Sequence, residues 1–186
     1  MRHRIFLSIL LVLGARVAFS DDLRTATRKI EEIKSDHLRP GTVVVLTLPE
    51  LNAWVATQLP DGVRNGRLRI DSPGIATGTA MVDIARVSRA KGFDPGWLLS
   101  KILEGERPVL VTARIQASRG SAIVTVKRVE VSGLDIDGKT LDMLIEHVLL
   151  PVYPDAAVNR PFDMSHNVER LDIEPTLVRV AIGKPK

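Results

Sequence analysis

A repeated alternation of apolar and polar residues constrains the fold of this 186-residue chain more than any other feature of its sequence. The alternation begins near Val63 and returns in three longer stretches: 75–84, 109–116 and 122–131. Turn-forming residues stand at 71–74 and 118–121. Successive side chains of a β-strand point to opposite faces, so each stretch has one apolar face. Strands that are joined by short turns pair as antiparallel hairpins. The pattern therefore predicts a long antiparallel sheet.

One interruption of the alternation predicts an irregularity in this sheet. Val124 and Val126 share one parity, whereas Val129 and Val131 have the other. The change falls at Lys127–Arg128. A β-bulge adds one residue to one strand and returns the apolar side chains to a common face. We expect a bulge at this point.

Helical periodicity occurs between the strands rather than in regular alternation with them. In "TLPELNAWVATQLP", Thr47 is placed to cap a helix, and Glu50 stands three residues later, as in a capping box. Helices are also predicted at 93–103 and 140–150, and 22–37 is predicted to be a helix or a partly ordered leader. Further strand patterns lie at 42–48 and in the hairpin 168–182. We expect an α+β fold in which a long curved antiparallel sheet packs on a few short helices.

The first twenty residues have the three parts of an export signal. Basic residues precede an apolar run at 5–13, and small residues precede Asp21. We expect residues 1–20 to be a cleaved signal peptide, residues 21–186 to form a single α+β domain, and the protein to be periplasmic or secreted. An uncleaved N-terminal anchor is the alternative.

The predicted signal holds most of the excess positive charge of the chain. The formal net charge is +4, and Arg2, Arg4 and Arg16 supply three of these charges. The remaining residues are close to neutral, whereas nucleic-acid-binding proteins usually have a basic surface. We expect no nucleic-acid partner, and we interpret the arginines within 64–69 as one solvated face of a strand.

Residue types that perform catalysis or bind metals are sparse. The chain has no cysteine, which excludes disulfides and thiolate metal sites. His37, His147 and His166 lack the spacing of metal-ligand pairs, and no G-x-S-x-G nucleophile motif occurs. We expect a protein that is not an enzyme and that has no cofactor or metal.

The stretch Gly133–Thr140, "GLDIDGKT", fits the phosphate-binding pattern G-x-x-x-x-G-K-[ST]. Its variable positions include Asp135 and Asp137, whose carboxylates would repel a phosphate. Phosphate-binding loops of this type belong to parallel α/β sheets, whereas this chain is predicted to run in hairpins. We therefore expect no nucleotide. We interpret the stretch as the end of a strand, a turn at Gly138, and an N-cap at Thr140.

Three stretches resemble bacterial envelope proteins of the tubular lipid-binding (BPI-like) superfamily, including its LmeA-like and AsmA-like members. They are "LTLPELNAWVATQLP", "GIATGTAMVDI" and "PFDMSHNVERLDIEPTLVRVAI". The resemblance implies a sheet wrapped around helices, an apolar groove for lipid tails, and no catalytic residues. The chain departs from the superfamily in one respect, because no long continuous amphipathic helix is predicted.

The predicted ligand-binding residues combine the small-residue strand with apolar helix positions: Trp54, Ala76, Gly78, Ala80, Leu141, Leu144, Ile145 and Val148. The same residues also suit close packing of helices on a sheet. The leading hypothesis is a non-enzymatic periplasmic protein that binds a lipid or other apolar ligand in a groove between sheet and helices. The alternative is an envelope scaffold or protein-interaction domain with a filled core. An envelope protein partner is compatible with either hypothesis.

Overall fold

The computed structural model describes residues 3–83, 85–87, 105–136, 138–145 and 158–185. Side chains are described from residue 19 onward, except at positions 140, 143 and 144 within α3 below. The helix predicted at 93–103 and the second half of the helix predicted at 140–150 lie outside the described residues.

The helices within the described residues are α1 (His3–Lys34), α2 (Leu48–Thr57) and α3 (Gly138–Leu144). The strands are β1 (Val43–Thr47), β2 (Val63–Ser72), β3 (Ile75–Asp83), β4 (Glu106–Ser118), β5 (Ser121–Val131), β6 (Leu134–Ile136), β7 (Pro161–Asp163), β8 (Val168–Glu174) and β9 (Leu177–Ile182). They form two antiparallel sheets. The large sheet has the order β2-β3-β4-β5-β6, with β7 also paired to β5, and the small sheet has the order β1-β9-β8. The predicted α+β class and the long antiparallel sheet are confirmed.

The β-bulge predicted in β5 is confirmed. Val129 pairs with Val111 of β4 and Val126 pairs with Ala113, so Lys127 has no partner across the strand pair. The extra residue keeps Val126 and Val129 on the same face of the large sheet. The change of apolar parity in the sequence was therefore a correct signal for this bulge.

The capping box predicted for α2 is also confirmed. The Thr47 side chain accepts a hydrogen bond from the Glu50 N–H, and the Glu50 carboxylate accepts one from the Thr47 N–H at 2.8 Å. These bonds satisfy backbone donors that the first turn of a helix leaves free. They fix the point at which β1 ends and α2 begins.

One face of the small sheet packs against α1. Four buried aliphatic residues form the centre of this contact: Val44, Leu46, Val180 and Ile182. Ile30 and Ile33 of α1 pack on them, and Ala26 has no exposed surface. The helix predicted within 22–37 is confirmed as far as Lys34, with its apolar side towards the sheet.

α1 is much longer than predicted. It runs without interruption for 32 residues and passes through Ser20–Asp21, the predicted cleavage point. The sequence predicted no long continuous amphipathic helix, and the structure contains one long continuous helix whose first part is apolar. Residues 3–34 contain no proline and only one glycine, so nothing in their backbone interrupts a helix. Among the described residues, no helix is sufficiently long and apolar to cross a membrane.

The two sheets meet at the hairpin ends of the large sheet. In the turn between β2 and β3, the Gly74 N–H donates a hydrogen bond to the Ile173 carbonyl at 3.0 Å. In the turn between β4 and β5, the Gly120 N–H donates one to the Glu169 carbonyl at 2.9 Å. Both acceptors lie on β8. This junction covers the nearest part of the apolar face of the large sheet, because Ile173 packs there against the buried residues Ile70 and Ala76.

Candidate functional site

The apolar face of the large sheet continues beyond the part that the small sheet covers. Gly78 and Ala80 follow Ala76 at every second position of β3, and so they share its face. The register places Val111 of β4 opposite Gly78 and Val109 opposite Ala80. Small residues on β3 beside valines on β4 leave a depression along the sheet.

This depression is the floor of an open groove with a volume of about 280 Å³. Leu68 and Val82 extend the floor, and Val55 of α2 and Leu59 just after α2 line one side. The remaining positions, at Gly66, Arg67 and Thr79, lie along β2 and β3. The surface is therefore mainly aliphatic.

Gly78 gives the groove its depth. A Cβ atom built on Gly78 would have no heavy atom of the described residues within 4 Å, its two chain neighbours apart. Glycine would be required at position 78 if another part of the chain packed closely against its Cα atom. No described residue does so. With respect to the described part of the chain, the missing side chain of Gly78 therefore leaves open space.

α2 is attached to the free edge of the large sheet through Asn52. The Asn52 amide donates to the Leu68 carbonyl at 2.9 Å and accepts from the Leu68 N–H at 2.7 Å. The side chain therefore replaces a neighbouring strand at the edge strand β2. This attachment holds the helix, and with it the wall of the groove, over the sheet.

A second bulge brings β2 close to the end of α2. Asn65 and Gly66 together face Ala80, and Asn65 has a left-handed φ of 57°. A Cβ atom on Gly66 would lie 2.6 Å from Leu59 Cδ2, so the leucine packs directly on the glycine backbone. The sequence analysis missed this bulge.

Two of the predicted site residues line the groove, and four others that the structure describes lie elsewhere. Gly78 and Ala80 are on the floor. Ala76 is 7% exposed and belongs to the cluster with Ile70 and Ile173, because the small sheet covers that end of β3. Trp54 is half-buried on α2, and Leu141 of α3 is 8% exposed; neither is a lining residue of the groove.

The other predicted site residues of the helix at 140–150 either lie away from the groove or fall outside the described residues. Ile145 is half-buried directly after α3 and is not a lining residue of the groove. The side chain of Leu144 and the whole of Val148 lie outside the described residues. The lining valines Val109 and Val111 were not predicted as site residues. Their parity was recognised, but only the pairing of β3 with β4 places them beside Gly78 and Ala80.

The opposite face of the large sheet is polar, and several of its charges are paired. Arg69 contacts Asp71 at 2.5 Å, and Arg64 forms an ion pair with Glu106. The hydrogen bond from Arg64 lowers the pKa of the Glu106 carboxyl group below its ordinary value. These pairs confirm the interpretation of the arginines within 64–69 as a solvated strand face.

Two larger cavities in the described part of the chain lie outside this groove. One, of about 1030 Å³, lies between α1, α2 and the edge of β2, and its lining mixes apolar residues with Asp22 and Arg64. The other, of about 590 Å³, is lined by turn residues that include His166. His166 Nδ1 is 3.4 Å from Asp36 Oδ2. Among the described residues, Asp36 is the only one with a hydrogen bond to this ring.

The described part of the chain contains no cluster of three or more histidine, aspartate or glutamate residues that is placed to hold a metal ion. The groove over Gly78 likewise has no carboxylate or imidazole among its lining residues. Most of its described lining residues are aliphatic, and such a surface suits apolar contact.

The stretch that fits the phosphate-binding pattern is folded differently from such a loop. Residues Leu134–Ile136 form β6 and pair with β5. Asp135 is ion-paired with Arg128 at 2.5 Å. Since α3 begins at Gly138, Thr140 lies inside the first turn, and its predicted position as N-cap is wrong. The sequence analysis placed the start of the helix after its actual start at Gly138, because this glycine was interpreted as part of a turn that precedes the helix.

Comparisons of the chain with protein-family models, with curated proteins and with solved structures give no match. The resemblance to tubular lipid-binding proteins therefore stays a prediction from sequence. The groove and its chemistry are the basis on which a function can be argued.

Proposed function

We propose that this protein is a non-enzymatic lipid-binding protein of the bacterial periplasm, and that it holds an acyl chain or a similar apolar ligand in the groove over Gly78. The observation that supports this proposal most strongly is the open space above Gly78 on an otherwise aliphatic floor. The periplasmic location follows from the predicted export signal.

The physical basis of the proposed binding is burial of apolar surface. An acyl chain laid along Ala80, Val109 and Val111 would be removed from water together with these side chains. Each buried methylene contributes about 0.8 kcal/mol. A ligand of several methylenes thus gains useful affinity without any polar contact, provided that the groove is open to it.

Replacement of Gly78 by valine tests this proposal. The new side chain enters the open space, and valine also favours strand conformation, so we expect an unchanged or higher melting temperature. The same side chain fills the floor of the groove. We therefore expect native mass spectrometry to detect lipid co-purifying with the full chain and to detect much less with Gly78→Val.

Gln116→Val is the matched control. Gln116 is exposed on β4, at a position of opposite parity to Val109 and Val111, so valine there adds the same apolar group to the other face. It should leave lipid binding unchanged. Reproducible absence of lipid from the wild-type protein, or equal lipid in a folded Gly78→Val variant, would contradict the proposal and favour a filled scaffold.

A further inference from the structure

One arginine stands just beyond the groove on its apolar face. β3 and β4 pair without a register shift, with Ala80 opposite Val109 and Val82 opposite Arg107. Because side chains alternate along a strand, Arg107 leaves β4 on the same face as Val109 and Val111. Arg107 is exposed to solvent.

Two described carboxylates near this end of the sheet are already ion-paired with other arginines. Glu106 is ion-paired with Arg64, and Asp61 is ion-paired with Arg86 at 2.8 Å. Within the described residues, Arg107 forms no ion pair. The mainly aliphatic groove therefore ends at the Arg107 guanidinium, which no described carboxylate neutralises. Arg67 also lines the groove, but it pairs with Thr79 and leaves β2 on the opposite face.

The geometry points to a single-chain lipid with a carboxylate headgroup as the ligand of this groove. Its tail would lie over Gly78 and Ala80, and its headgroup would contact Arg107. A guanidinium group binds a carboxylate through two parallel hydrogen bonds. A volume of about 280 Å³ is at the lower end of small-molecule sites, which favours one chain over two. This inference rests on the proposed function and specifies its ligand.

Isothermal titration calorimetry of the full chain with decanoate and with decanol tests the assignment. These probes share an alkyl chain and differ in the charge of the headgroup. The wild-type protein should bind decanoate more tightly than decanol. Arg107→Gln should weaken decanoate binding by about tenfold and leave decanol binding unchanged, since only the charge-assisted contact is lost.

Arg114→Gln is the matched control, because Arg114 is an exposed arginine on the opposite face of β4 that forms no ion pair with a described residue. It should not change the affinity for either probe. Equal decanoate affinity in Arg107→Gln and wild type would overturn the headgroup assignment while the groove itself still bound decanol. Loss of both probes in a folded Arg107→Gln variant would also overturn it. Failure of the wild type to bind either probe would instead overturn the proposed function.

Discussion

The carboxylate of Glu50 is only 6% exposed, and it accepts hydrogen bonds from two directions. The Thr47 N–H donates to it at the start of α2, and the Lys29 ammonium of α1 donates to both oxygens at 2.8 Å. Lys29 also donates to the Val45 carbonyl at 2.7 Å. The Glu50 carboxylate therefore joins α1 to the start of α2, and its partner Lys29 also joins α1 to β1.

Burial of Glu50 raises its pKa, but the hydrogen bonds from Lys29 and Thr47 outweigh burial and hold the pKa below its ordinary value of 4.5. A carboxyl group with a lowered pKa in the folded state stabilises the fold fully above its ordinary pKa. This contribution is lost as the pH falls through the lowered value, because the unfolded chain then binds more protons.

Glu50→Gln should therefore reduce the free energy of unfolding at neutral pH by about 2 kcal/mol, since it leaves Lys29 without its counter-charge in a part-buried site. Urea denaturation of both proteins between neutral pH and pH 3 measures the effect. The difference between wild type and variant should shrink below about pH 4.5 and stay constant above it. A difference that grows on acidification would contradict this account of Glu50.

At the scale of elements, the contact between α2 and β2 sets the shape of the groove. Asn52 occupies the hydrogen-bonding groups of Leu68, and Leu59 packs on the backbone of Gly66. Local sequence predicted the cap and extent of α2, because these depend on neighbouring residues. It did not predict the role of Asn52, which depends on a strand residue sixteen positions away.

Asn52→Leu should lower the free energy of unfolding by about 2 kcal/mol, because the Leu68 N–H and carbonyl lose their partner at a part-buried edge. Chemical denaturation checks the value. Thr57→Leu on the same helix is the control. Thr57 is exposed, and the hydrogen bonds of its side chain to described residues are local, to Trp54 and Gln58, so its replacement should change stability by less than about 0.5 kcal/mol. Equal effects of the two substitutions would exclude a special role for the Asn52 bonds.

Two bulges and the length of α1 show when the local pattern of residues predicts an element correctly and when it does not. The bulge at Lys127 changed the parity of the apolar residues and was therefore visible in the sequence. The bulge at Asn65–Gly66 also changes the apolar parity, from Val63 to Leu68 and Ile70, but only one apolar residue of β2 precedes it, so the signal in the sequence is weak. The length of α1 was missed because its apolar start was assigned to an export signal.

At the scale of the whole molecule, the groove results from how the two sheets are joined. From the strand pattern alone, Ala76, Gly78 and Ala80 occupy equivalent positions on one apolar face, and nothing in it distinguishes a core residue from a groove residue. Among the described contacts, the attachment of β8 to the hairpin ends buries Ala76, whereas Gly78 and Ala80 lie beyond it and are half-buried. Contacts between segments far apart in the chain thus decide which small residues are core and which line a cavity.

Photo-crosslinking with a fatty acid that bears a diazirine near its methyl end tests the central claim, that a lipid tail lies over Gly78. Mass spectrometry of the digested protein should locate adducts on Ala80–Val82, Val109–Val111 or the end of α2, and Gly78→Val should remove them. Adducts that concentrate on the α1 side near Asp22, or that persist unchanged in Gly78→Val, would contradict the claim.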